Sequence, residues 1–256
     1  MHNPGTKELF RYYSNTDWAH DVLLNNQVYI PHPSSFNDPF DGSIPFDPTY
    51  TATEFRHWAI KLGERDGHDK VTIERNLLPY FKSDGSLTDF AISRIESVSK
   101  DFDESNKRMG VLCLTEDCTS ILMWSHYANK HQGVCVGFTR EPSSELGVDD
   151  ACNPVEYNDT YPTPRFLEIF SDDDRLTRAL FYRKAMGWTY EREWRLLFEP
   201  ANQHVPISGS ISRVILGCRY DRKVKVEIPN TCAAKSIPLF AAIQTPGEFS
   251  LKLEKL

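Results

Sequence analysis

Along residues 7–14, Lys-Glu-Leu-Phe-Arg-Tyr-Tyr-Ser, the aromatic-rich pattern predicts a first strand, after which Asn15-Thr16-Asp17 supplies a cap for a helix over residues 18–25. Val28-Tyr29-Ile30 reads as a second short strand, closed by Pro31 and Pro33. From residue 51 to about 106 the apolar spacing changes to a helical one, as at Phe55, Trp58, Ala59 and Leu62. Two or three amphipathic helices are predicted there, around the turn at Ser83-Asp84-Gly85. Val-Leu-Cys-Leu-Thr at 111–115 is a buried strand. Thr119 or Ser120 then caps a helix over 121–130 that His131-Gln132-Gly133 ends, and residues 134–138 return as a strand. On that helix Trp124 and Ala128 share a face with Ile121, which makes Trp124 a core residue; Met123, Tyr127 and His131 form the adjoining stripe. Further strands are predicted at 155–157, 213–217, 236–244 and 249–253, with helical sequence over 166–184. The chain shows no internal repeat and no low-complexity linker. The expected architecture is a single α+β domain over 1–256, with a mixed or antiparallel β core, peripheral helices and a helical insertion over 51–106.

The stretch 188–198, Trp-Thr-Tyr-Glu-Arg-Glu-Trp-Arg-Leu-Leu-Phe, concentrates the candidate chemistry. Read as one strand, it puts Glu191, Glu193, Arg195 and Leu197 on one face and Arg192, Trp194, Leu196 and Phe198 on the other. Two carboxylates on alternate residues suit a grip on a hydroxyl-bearing, cationic reacting group. The competing reading is a half-buried strand whose outward face carries a Glu, Glu, Arg ion-pair ladder.

Composition narrows the field. Hydrophobic residues at 40% of 256 suffice for a large core, and a net charge of −7 argues against a broad basic surface that holds nucleic acid. No apolar run approaches the roughly 20 residues of a membrane helix, and the polar start is unlike a signal peptide, so a soluble, cytoplasmic protein with no membrane partner is expected. Six scattered cysteines without a Cys-x-x-Cys pair read as reduced thiols. Cys113, Cys118, His126, His131 and Cys135 match no familiar zinc spacing, and no metal is expected.

Two other features carry polar groups. Ser-Phe-Asn-Asp-Pro-Phe-Asp-Gly at 35–42 is dense in turn formers, so Asn37 and Asp38 read either as a structural Asx-turn or as substrate-facing groups. Ser125 and His126 are adjacent on a predicted helix and diverge by about 100°, which excludes a nucleophile–base pair. The sequence also lacks a Gly-x-Ser-x-Gly elbow.

In order, Phe10-Arg11-Tyr12-Tyr13, the 36–41 loop, Met123 to Ala128 followed by His131 to Cys135, the Trp188 to Arg195 stretch and Ile215-Leu216-Gly217 resemble a bacterial and phage family known as domain of unknown function 2971. The same motif order is similar to that of mono-ADP-ribosyltransferases: an aromatic or basic first strand, a middle aromatic helix-strand unit and a late Glu-x-Glu at a strand start. That resemblance implies NAD as the substrate and Glu193 as the catalytic carboxylate stabilising an oxocarbenium-like transition state. It also implies Glu191 as the acceptor-orienting group, Arg11 as the NAD anchor, and Tyr12, Tyr127 or Trp124 as stacking residues. Asn37 and Asp38 join the expected nucleotide-binding set. The setting it suggests is a toxin, a defence effector or a phage-encoded modifier acting on a protein or nucleic-acid acceptor. The sequence departs from one branch of that superfamily in having no Ser-Thr-Ser on a middle strand, and Arg195 stands where it can neutralise the pair.

Two alternatives stay open at this point. One is a different nucleotide- or nucleic-acid-processing enzyme of nuclease type, using His126, His131, the Asn37-Asp38-Asp41 loop and the Glu pair as acid, base and ligand groups. The other is a non-catalytic immunity or sensor module in which Trp124, Trp188 and Trp194 are core.

Overall fold

The computed structural model describes residues 5–42, 47, 49–148, 151–165, 173–207, 209–223, 225 and 227–256. Packing groups the chain into two compact units: residues 1–32, 110–159 and 184–256 form the first, and residues 33–109 and 160–183 the second.

The first unit is built on an eight-stranded sheet. Its strands are β1 (Glu8–Tyr13), β3 (Gly110–Thr115), β4 (Val134–Thr139), β5 (Cys152–Pro154), β8 (Glu193–Phe198), β10 (Ile211–Leu216), β11 (Leu239–Gln244) and β12 (Leu251–Lys255). Their order across the sheet is β12-β11-β10-β4-β1-β3-β8-β5. The β10–β11 pair is parallel and the other neighbours are antiparallel, which bears out an α+β fold with a mixed sheet. The first strand, the strand leading into the aromatic helix and the Glu-x-Glu strand thus lie side by side as β1, β3 and β8.

Strand alternation sorts the core onto two faces. Leu9, Tyr13, Leu112, Leu114, Val134, Val136, Trp194 and Leu196 pack on one face with Ala19, Val22 and Leu23 of α1 (Thr16–Asn25) and Ile228 and Cys232 of α7 (Glu227–Ala234). Phe10, Tyr12, Cys135, Ile215 and Ala242 pack on the other, under Met123 and Trp124 of α5 (Ile121–Tyr127) and Ala128 just beyond it. Asn15 caps α1 by accepting from the Asp17 N–H, and Ser120 caps α5 by accepting from Met123 N–H.

Helix α5 stops at Tyr127, short of the predicted residue 130. Asn129, Lys130 and His131 take positive φ values of 46°, 55° and 70°, and the chain folds back so that His131 N–H donates to the Trp124 carbonyl. Gly133 follows because a Cβ there would meet the Tyr13 carbonyl oxygen at 2.1 Å.

A small antiparallel pair, β2 (Gln27–Ile30) with β9 (Gln203–Pro206), and the two-residue strand β6 (Glu156–Tyr157) also belong to the first unit. No helix among the described residues is long and apolar enough to cross a membrane.

The second unit holds α2 (Ala52–Arg65), α3 (Lys70–Leu77), α4 (Asp89–Asn106) and α6 (Asp173–Phe181) around Phe55, Ile95 and Leu176. The predicted helices of 51–106 all form, and Gly85 takes φ 81° in the turn between α3 and α4. The helical sequence predicted over 166–184 is helical over 173–181, residues 166–172 lie outside the described residues, and Lys184 belongs instead to the two-residue strand β7 (Arg183–Lys184).

Candidate functional site

The 188–198 stretch is not one strand. Residues Met186–Glu191 form a 3₁₀ turn, Arg192 takes a left-handed conformation (φ 44°, ψ 49°), and β8 begins only at Glu193. The break re-aims the chain between the two glutamates. The predicted shared face therefore survives only from Glu193 to Leu197.

That face is not outward. Glu191, Glu193, Arg195 and Lys184 are 3%, 5%, 1% and 7% exposed, so the ion pairs expected as a solvated ladder lie in the interior of the first unit. The pairing of Thr115 with Glu193 and of Phe10 with Thr115 puts Glu193 on the Phe10–Tyr12 face of the sheet.

The network is dense. Arg195 donates from Nε to Glu193 Oε1 (2.7 Å) and from Nη2 to Glu193 Oε2 (3.0 Å). Lys184 Nζ donates to Glu191 Oε2 (2.6 Å) and to Glu193 Oε2 (3.1 Å), and its ammonium lies 5.0 Å from the centre of the Trp188 ring. Tyr127 donates its hydroxyl to Glu191 Oε1 (2.5 Å), and Thr115 Oγ1 donates to the Glu191 carbonyl (2.6 Å). Cys113, opposite Arg195 on β3, adds to the groups that keep the Glu193 carboxylate ionised. A carboxylate offers about four acceptor positions, and Arg195 and Lys184 together take three of them on Glu193.

The two carboxyls diverge in acidity. Burial alone would raise both. For Glu193 the Arg195 and Lys184 charges overcome burial and hold it at about 2. For Glu191 burial wins, reinforced by the Glu193 charge and only partly offset by Lys184 and Tyr127, so its acidity is weakened. One member is firmly ionised and its neighbour holds a proton more readily.

Glu193 is also among the residues around a cavity of about 200 Å³, with Glu116, Val155, Tyr157, Thr189 and Arg192. Tyr157 accepts from the Glu193 N–H (2.9 Å), and burial, the leading cause, raises its phenol. Arg192, 56% exposed, pairs with Glu116 at 2.6 Å.

The remaining candidates of the first unit are dispersed. Tyr12 and Trp124 share the Glu193 face, stacked edge to face with ring centres 5.0 Å apart. Their polar ends are engaged: Tyr12 donates to the Asp117 carbonyl and Trp124 Nε1 to the Cys118 carbonyl. Trp124 is fully buried. His126 is exposed, with Nδ1 3.3 Å from the Tyr190 hydroxyl. Arg11 projects from the opposite face of β1, donating to the Tyr29 carbonyl (2.9 Å) with its guanidinium over Tyr13. Asn37 and Asp38 lie in the second unit. There Asp38 is buried and accepts from the Phe40 N–H (2.9 Å), the Asx-turn of the structural reading.

Lys184 and Tyr157 were missed from sequence. Lys184 stands at the end of a helix-favouring stretch, and only the fold returns it to the glutamates.

Among the described residues no group of three or more His, Cys, Asp or Glu side chains is placed to hold a metal ion. Residues 123–196 match the model of a family described as a protein of unknown function, DUF2971. The family resemblance is borne out over that segment, which holds the Met123 to Ala128, His131 to Cys135 and Trp188 to Arg195 motifs; Phe10 to Tyr13, the 36–41 loop and Ile215 to Gly217 lie outside it. The matched segment runs from α5 to β8 and contains Tyr127, Lys184, Glu191, Glu193 and Arg195, whereas Arg11, Tyr12, Asn37 and Asp38 lie outside it. Neither the curated proteins nor the solved structures yield a significant match to the chain.

Proposed function

We propose that the chain is an ADP-ribosyltransferase-like enzyme that cleaves the nicotinamide–ribose bond of NAD, in the setting of a bacterial or phage conflict. The observation that carries this reading is Glu193, which bears an ionised carboxylate, opens β8 and is one of the residues around a cavity. Glycosyl cleavage of this kind develops positive charge on the ribose. A preorganised negative charge lowers that barrier without any proton transfer. In this reading Glu193 is an electrostatic stabiliser, and Glu191, the weaker acid of the pair, orients the acceptor.

The cavity sets the scale of what is gripped. About 200 Å³ falls below the roughly 300–1,000 Å³ of whole-ligand pockets, so it takes one moiety of a dinucleotide while the rest lies outside. Tyr157 and Arg192 are the polar groups of the lining best suited to hold it. Titration of NAD into the full chain by calorimetry tests this assignment. Measurable binding that weakens in Tyr157→Phe and Arg192→Ala supports it, and no binding of NAD overturns it.

A second reading is a non-catalytic binding module, and one observation favours it. Arg195 and Lys184 compensate the Glu193 charge, as in an ion-pair cluster that fixes the shape of a cleft. Copurification with a single partner, and unchanged biological activity after conservative changes at Glu191 and Glu193, would favour the module over the enzyme.

A further inference from the structure

We infer that Lys184 is a positioning residue for the Glu191/Glu193 pair: one buried ammonium, hydrogen-bonded to both carboxylates, fixes their separation and couples their protonation. This rests on the reading in which the pair does the work of the site.

The geometry distinguishes Lys184 from the pair's other partners. Arg195 donates to Glu193, and Tyr127 donates to Glu191, whereas Lys184 Nζ reaches Glu191 Oε2 at 2.6 Å and Glu193 Oε2 at 3.1 Å. The Arg192 turn separates the two glutamates in the backbone, so strand geometry alone does not set their spacing. The ammonium supplies the missing link. It is itself held in place: the Trp188 ring lies 5.0 Å from it, and the Lys184 carbonyl accepts from the Asn158 N–H at 2.9 Å.

Among the described residues, charged and titratable groups face this link from several neighbouring elements. They are Tyr127 from α5, Cys113 from β3, Tyr157 from β6 (Glu156–Tyr157), Tyr190 from the 3₁₀ turn and Arg195 from β8. None of them bridges both carboxylates in the way Lys184 does. Removing its charge therefore leaves Glu191 beside the Glu193 anion with the Tyr127 hydroxyl but without the shared cation, and proton binding at Glu191 strengthens.

The test is a carboxyl-detected NMR titration of the full chain labelled at glutamate. In Lys184→Met the Glu191 midpoint rises by about one pH unit or more, and Lys184→Arg, which keeps a cation, returns most of that shift. A Glu191 midpoint unmoved in folded Lys184→Met overturns the inference. If Lys184→Met does not fold, the wild-type chain decides: the Lys184 ammonium resonance follows the Glu191 titration if the two are coupled, and a resonance flat through that titration overturns the inference. Nicotinamide release by the wild-type chain is measured separately. Coupling without release would sink the NAD reading and leave the Lys184 assignment standing.

Discussion

Arg195 holds Glu193 with two nitrogens, Nε to Oε1 at 2.7 Å and Nη2 to Oε2 at 3.0 Å, from two residues along the same face of β8. Both side chains are buried, so the pair sits where water cannot screen it. Such a pair is costly to break and cheap to replace whole, because losing either partner removes much of the charge that compensates the other in the interior.

Arg195→Met is therefore expected to destabilise the fold by about 3–5 kcal/mol, and Glu193→Gln by a similar amount. The double variant should recover much of the loss. Urea unfolding of the four proteins checks this, and strictly additive losses would contradict the pairing.

The same pair makes stability depend on pH. Glu193 is held at about 2 against an ordinary 4.5, so its contribution is complete above about 4.5 and is lost as pH falls from 4.5 towards 2. Glu191 has the opposite sign: with a raised folded value, its contribution is present below the unfolded value and is lost as pH rises through the folded one. The stability gap between wild type and Glu193→Gln/Arg195→Met should accordingly narrow between pH 4.5 and 2. Urea midpoints at stepped pH measure it, and a constant gap across that window would count against Glu193 as a strongly acidic group.

Trp124 belongs to the core and not to a ligand-stacking surface. Fully buried and bonded through Nε1 to the Cys118 carbonyl, it should cost about 3–5 kcal/mol as Trp124→Ala. Trp124→Phe, where folded, should leave NAD affinity unchanged, while Tyr157→Phe at the cavity should lower it about fivefold. Calorimetry on both variants separates the two roles.

What the sequence disclosed follows from local physics. The strands β1, β3 and β4 carry their apolar patterns openly, and Asn15 and Ser120 cap the helices by an arrangement legible from three or four residues. The dispersal of Arg11 was legible too: Tyr12 and Arg11 are consecutive on a strand and must face opposite sides of the sheet. The left-handed Arg192 was not legible. Arginine has no preference for that conformation, and tertiary packing imposes it, including the Arg192–Glu116 pair and the Glu116 N–H bond to the Arg192 carbonyl. Lys184 was hidden for a related reason, since a lysine ending a charged helical stretch reads as solvated until the fold brings it back against Glu191 and Glu193.

In the proposed reaction Glu193 supplies fixed negative charge to the cleavage of NAD. The most direct measurement is nicotinamide release from NAD by the full chain, wild type against Glu193→Gln/Arg195→Met, with NAD affinity followed on the same samples. Release by the wild type is expected, with a fall of about a hundredfold in the double variant while NAD still binds. Equal release from both proteins, or a folded wild-type chain that neither binds NAD nor releases nicotinamide with any acceptor, would contradict it.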